Sequence, residues 1–170
     1  MAVEAGGFTG ILEADEVVVD YLVEMRGLSA DDVRKRIVRA DEGAEYCKHF
    51  DIDLSSLEPI VATPGDPRNG IPLRTVGDVK IDIAYGGSCT GGKKADMDMY
   101  ASVVRKALDA GMSIPAHVKC YIQFGSQKIR DYAETMGYIG LFEGAGIELI
   151  DPSCGACIKA GPGVSDRPDQ

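Results

Sequence analysis

Lys80-Ile81-Asp82-Ile83-Ala84-Tyr85-Gly86-Gly87-Ser88-Cys89-Thr90-Gly91-Gly92 reads as an extended segment running into a glycine-rich turn, and a helical pattern follows at once. Lys80 to Tyr85 has the apolar, β-branched character of a strand. From Asp96 to Ala110, Met97, Tyr100, Ala101, Val104 and Leu108 share one face of a helix. The unit then recurs. Val118 to Phe124 reads as a second strand, Gly125-Ser126 as its turn, and Gln127 to Met136 as a helix carrying Ile129, Ala133 and Met136. Gly146 to Ile150 supplies a third strand, closed by the turn Pro152-Ser153-Cys154. Strands alternating with helices predict an α/β fold with a parallel sheet whose faces are covered.

Upstream the rhythm is different. Asp15 is placed to cap a helix through about Met25, with Val18, Leu22 and Met25 at helical spacing and Gly27 as its stop. Ser29 with Asp32 imitates a capping box ahead of an apolar stripe of Val33 and Ile37. Asp41 to Phe50 reads as a third, short helix. Between Asp51 and Asp78, Pro59, Pro64, Gly65, Pro67, Gly70 and Pro72 break the pattern into short extended pieces. The expectation is one domain over residues 1–170, with a helical and loop part at 1–78 and a β/α part at 79–170.

Composition bounds the function. A chain of 170 residues with 45% hydrophobic content can bury one sizeable core, and a second independent domain is not expected. A net charge of -9 argues against nucleic acid and anionic membrane surfaces, which call for basic patches. No apolar run approaches the roughly 20 residues of a membrane helix. Met1-Ala2-Val3-Glu4 lacks the features of a secretory signal, so a cytoplasmic location is expected. Five cysteines, an odd count without an export signal, point to reduced thiols.

Open α/β sheets place ligands beyond the carboxyl ends of their strands. Cys89 and Cys154 both sit in such turns, so the 65 positions between them need not be distance in space. The pair Cys154-Gly155-Ala156-Cys157 alone serves zinc, redox exchange, iron–sulfur clusters or plain structure. Its place near the end of the chain disfavours a thioredoxin-like role. Zinc would want a fourth ligand, and His49 and His117 lack finger-like spacing, reading instead as surface or partly buried imidazoles. Cys47 and Cys120 read as small buried hydrophobes outside any metal site. Three thiolates are one short of a closed site. A four-iron cluster held by three cysteines leaves one iron open, which makes it a Lewis acid as well as a redox group.

Taken in order, Gly87-Ser88-Cys89-Thr90-Gly91-Gly92-Lys93, Gly125-Ser126-Gln127 and Cys154-Gly155-Ala156-Cys157 resemble the cluster-bearing domain of aconitase and of the 3-isopropylmalate dehydratase large subunit. Met1-Ala2-Val3-Glu4-Ala5-Gly6-Gly7 and Ala14-Asp15-Glu16 fit the same pattern, so the resemblance covers nearly the whole chain. It implies a three-layer, parallel-sheet domain of the aconitase type with an N-terminal helical segment. It also implies that Cys89, Cys154 and Cys157 ligate a [4Fe-4S] cluster whose fourth iron binds the hydroxyl and carboxylate of a hydroxycarboxylic acid. Glu4 then falls on the family's acidic position in the active-site hydrogen-bond network.

Gly91-Gly92-Lys93 stands where the family usually carries Asn-Gly-Arg after Ser-Cys-Thr, so Lys93 takes the place of the arginine. It keeps the charge of a substrate-carboxylate contact without the planar fork of arginine. Ala156 and the run Ile158-Lys159-Ala160-Gly161-Pro162-Gly163 also depart from the commonest versions. Family members are several times longer, so the chain reads as an excised cluster domain or a naturally split subunit. Its partners would be the missing domains or a small swivelling subunit, and alone it would be inactive. The rival readings are a non-catalytic iron–sulfur or zinc module and a metal-free scaffold with reduced cysteines.

Overall fold

A computed structural model describes residue 2, residues 6–66 and residues 68–167. The chain divides after Pro59 into two compact units.

In the first unit, α1 (Glu16–Arg26) begins where the Asp15 carboxylate accepts the Val18 N–H at 3.2 Å, and it ends at Gly27, left-handed at φ 64°. Beside it is α2 (Ala30–Arg34), and the Arg34 guanidinium reaches the Glu16 carboxylate at 2.7 Å. Val19 and Val33 are the buried residues of these two helices. The second helix is shorter than its apolar stripe suggests, because Ser29 makes no side-chain cap and Asp32 is a methylene short of the reciprocal bond. The helix expected at 41–50 does not form. Gly43 turns into the left-handed region at φ 79°, which ends helical winding two residues after Asp41.

The second unit opens with two short antiparallel strands, β1 (Ile60–Ala62) and β2 (Gly70–Pro72), within the proline-broken stretch. The parallel sheet follows, with β3 (Ile83–Gly87), β4 (Lys119–Gln123) and β5 (Glu148–Ile150) in the order β3-β4-β5. With it among the described residues are the helices α3 (Ser88–Gly91), α4 (Lys94–Asp109), α5 (Gln127–Thr135) and α6 (Tyr138–Gly144). The α/β architecture with a parallel sheet is the one expected.

Alternation along β3 and β4 assigns the sheet faces. A Cβ on Gly86 would meet the Tyr100 ring of α4 at 3.2 Å, which puts α4 on the Gly86 side, and α5 and α6 pack with it. Met97 and Ala101 of α4, Ile129 and Ala133 of α5, Tyr138 and Phe142 of α6, and Ile122 and Phe124 at the end of β4 form its core. On the opposite face Tyr85 and Tyr121 approach ring to ring at 6.4 Å and are covered by Gly163.

The three helices are tied together at Asp98. Its Oδ1 accepts the Tyr132 hydroxyl at 2.7 Å and the Tyr138 hydroxyl at 2.8 Å, with the Arg105 guanidinium over the Tyr138 ring. Bonding to the Asp98 carboxylate, and then burial, pushes both phenols above the ordinary tyrosine range. The folded chain therefore keeps these protons at a pH where the unfolded chain has released them. Their contribution to stability is complete below about pH 10 and is lost as pH rises further. Urea midpoints at about pH 8 and about pH 11 should show this fall, and Asp98→Asn should flatten it. An equal pH slope in the variant would discount the cluster as its source.

Candidate metal centre

Register brings the site together. Gly87 pairs with Gln123 and Gln123 with Ile150, so the three strands end level. Cys89 follows β3 by two residues and Cys154 follows β5 by four, on either side of the central strand's end at Gln123. All three candidate thiols, Cys89, Cys154 and Cys157, are free and exposed.

The turn of Cys89 is built from unusual backbone. Gly87 sits at φ 110°, ψ -130°, and Ser88 at φ 66°, a left-handed conformation rare for a residue with a side chain. The Tyr100 hydroxyl donates to the Gly91 carbonyl at 2.9 Å, and the Gly125 N–H donates to the Gly92 carbonyl at 2.9 Å, fastening the far side of the turn to α4 and to the end of β4. Gly92 and Gly125 approach so closely that a Cβ on Gly92 would lie 2.5 Å from the Gly125 nitrogen. This explains the glycines of Gly91-Gly92 and Gly125-Ser126 better than flexibility does.

The turn of Cys154 is held from beneath by Gln123, which is wholly buried. Its amide N–H group lies 3.1 Å from the Asp151 carbonyl, 3.2 Å from the Ser153 carbonyl and 2.8 Å from Ser153 Oγ. Its amide oxygen accepts the Tyr85 hydroxyl. Cys157 stands in a short 3-10 turn, Ala156–Ile158, which ends at Lys159 in the left-handed region at φ 58°. Burial pushes the Tyr85 phenol up against the opposing effect of the Ala156 backbone. Cys157 and Cys89 both lie within electrostatic reach and add to the rise. Tyr85 is thus common ground between the two cysteine turns.

Beside Cys157 opens a cavity of about 620 Å³, lined by Tyr85, Lys80, Asp82, Lys159 and Gly163 among others. Lys93 is exposed at the start of α4, where its backbone N–H donates to the Asp96 carboxylate at 2.9 Å. Glu4 lies outside the described residues. Cys47 is exposed, not the buried hydrophobe its setting suggests. Cys120 is half-buried against Ala84, Val104 and Ile147 in an apolar cavity, and burial raises its thiol. His49 and His117 are exposed. Among the described residues no three His, Cys, Asp or Glu side chains stand close enough to hold one metal ion. Gln123 and Tyr85 had no part in the sequence-derived site. The available signal was a lone amide inside an otherwise apolar strand ending.

The family model of the aconitase family (aconitate hydratase) matches residues 1–169. The chain belongs to the aconitase family. It is 36% identical to the methanogen homoaconitase large subunit of Methanocaldococcus jannaschii, over 96% of this chain and 39% of that protein. It is 35% identical to the 3-isopropylmalate dehydratase large subunits of Aliarcobacter butzleri and Acetivibrio thermocellus, over 96% of this chain and 38% and 37% of theirs. This aconitase-family chain therefore spans less than two fifths of the length of the relatives it matches. No helix among the described residues is long and apolar enough to cross a membrane.

Proposed function

We propose that this chain is the cluster-holding part of an aconitase-family hydro-lyase that removes water from, and returns it to, a hydroxy di- or tricarboxylic acid. The level ending of β3, β4 and β5 is the observation that supports this most, because it sets the turn of Cys89 and the turn of Cys154 and Cys157 at one sheet edge.

The donor set fits a [4Fe-4S] cluster. Thiolates are the ligands such clusters take, and each binds its own iron, so they need not converge on one point. A structural zinc site requires four ligands around a single ion, and the described residues offer no such group. Bound by three thiolates, the cluster would supply an iron with an open position, a Lewis acid for a hydroxyl and a carboxylate.

The chain's own residues hold and surround that centre. Cys89, Cys154 and Cys157 are its ligands. Lys93, next after the Cys89 turn, offers positive charge to a substrate carboxylate, and the cavity beside Cys157 carries Lys80 and Lys159 on its lining. Glu4 is assigned to the hydrogen-bond network around the substrate. The base that takes the substrate's proton belongs to another part of the enzyme, so the isolated chain is inactive. The relatives are named as large subunits, which makes a small subunit the proposed partner and a cytoplasmic metabolic enzyme the proposed setting.

Anaerobic reconstitution with iron and sulfide tests the reading. The chain should take up about four iron and about four sulfide, with the broad visible absorption of a cluster. A hydroxycarboxylic acid should perturb that spectrum, since one iron is open to it. Tight uptake of zinc in place of iron and sulfide, or no uptake of either, would overturn it.

A further inference from the structure

A buried amide at the end of the central strand is an expensive choice unless every one of its hydrogen-bonding groups is used. Gln123 uses all of them. The carbonyls of Asp151 and Ser153 can only accept, which fixes Nε2 on their side and leaves Oε1 to accept the Tyr85 hydroxyl. Ser153 Oγ, 2.8 Å from Nε2, lies 3.0 Å from the Cys154 carbonyl and can donate to it, so the chain of bonds reaches the cysteine itself.

Gly155 completes the arrangement. It is buried directly over the Tyr85–Gln123 bond, and a Cβ there would stand 2.5 Å from Gln123 Oε1 and closer still to the Tyr85 hydroxyl oxygen. The turn therefore has one seat. Residues 151 and 153 are hung on the amide from one side and Gly155 is pressed against it from the other, with Cys154 between them. An apolar side chain of the same length would fill the space under the turn equally well. What it could not do is fix the direction in which the turn leaves β5.

We propose that Gln123 is a positioning residue for the metal centre: its buried amide fixes the Asp151–Gly155 turn, so that Cys154 is presented at the sheet edge of Cys89 before any metal arrives. This rests on the cluster reading above. The apo chain is then pre-organised on the Cys154 side by Gln123 and Tyr85, as it is on the Cys89 side by Tyr100 and Gly125.

The test compares the full chain with Gln123→Met, which keeps side-chain length and loses both kinds of hydrogen bond. Hydrogen exchange followed by mass spectrometry on the metal-free proteins should show residues 151–160 exchanging about tenfold faster in the variant, with β4 and α4 unchanged. This segment contains the Ile158, Lys159 and Ala160 N–H groups that bond within the turn. After reconstitution, an iron chelator should strip the variant about tenfold faster than wild type, and the variant's electron paramagnetic resonance after reduction should be altered.

Ser153→Ala, a change at an exposed residue, should move both readouts the same way by about threefold, and it decides the matter if Gln123→Met does not fold. Unchanged exchange in the turn, or faster exchange with an unchanged rate of cluster loss, would overturn the positioning role. Wild type alone reports on the cluster reading, through its uptake of iron and sulfide. The ratio of variant to wild type reports on Gln123, so the two failures are distinguishable.

Discussion

Cys89→Ser, Cys154→Ser and Cys157→Ser chains, reconstituted anaerobically beside wild type, are each expected to retain at most about a tenth of its iron and sulfide. Serine is nearly isosteric but presents a hard, weakly acidic hydroxyl where a cluster takes a soft thiolate. In the proposed set of three thiolates there is none to spare. Cys89 stands alone after β3, so its loss removes every attachment on that side of Gln123. Cys154 and Cys157 occupy successive turns after β5, and losing either leaves two ligands to carry the whole group.

Cys47→Ser and Cys120→Ser should keep wild-type content. Cys47 is exposed and lies in none of the motifs that carry the proposed site. Cys120 points into an apolar cavity beside Val104 and Ile147, on the face of the sheet away from Tyr85. Iron and sulfide assays with visible spectra decide the series. Wild-type content in any of the first three would strike that cysteine from the site, and loss in Cys120→Ser would transfer the assignment to it.

The strand-turn-helix units were legible because their signals are local. Ile83 and Tyr85 read as strand, and Met97 and Ala101, both wholly buried, mark the inner face of α4. Two parallel strands ending in cysteine-bearing turns could be placed at one edge by rule. That the ends are level, Gly87 to Gln123 to Ile150, is a matter of register, which no local pattern encodes.

α6 has no counterpart among the sequence expectations, since its seven residues include Gly140 and Gly144, which weaken helix propensity. Tertiary packing overrides them: Tyr138 and Phe142, four residues apart, are buried, and the Tyr138 hydroxyl is held by Asp98 of α4. The short helix expected at 41–50 failed for the opposite reason, since these residues are all exposed and bury no apolar face that would offset Gly43. Gln123 was passed over because strand patterns score apolar alternation. A polar side chain inside such a run is informative only once its partners, 38 and 30 residues away, are known. The proposed grouping of the cysteines comes from the order of motifs, which says nothing of the amide and phenol beneath them.

Gly87→Ala is expected to cost about 4 kcal/mol, the sum of two effects that act on the same backbone. The first is conformational. At φ 110° and ψ -130° the residue occupies a region that is nearly glycine's alone, and forcing an L side chain into it costs about 1–3 kcal/mol. The second is steric. A Cβ would lie 2.8 Å from the Gln123 nitrogen and overlap its carbonyl oxygen, for about another 1–3 kcal/mol. Neither can relax cheaply, because Gly87 and Gln123 are paired in the ladder and Ser88, next in the chain, is itself at φ 66°.

Against a total stability of about 5–15 kcal/mol, this should halve the urea midpoint or abolish cooperative unfolding. It should also displace the Cys89 turn, so that any folded fraction binds the cluster poorly. Gly140→Ala is the matched control: exposed in α6, without a left-handed φ and with open space where the Cβ would go, it should gain about 0.5–1 kcal/mol from helix propensity. Urea unfolding of the two variants measures both signs in one experiment. A Gly87→Ala midpoint equal to wild type would mean that the turn before Cys89 is not seated on the end of β4, and the shared edge of the three thiols would fall with it.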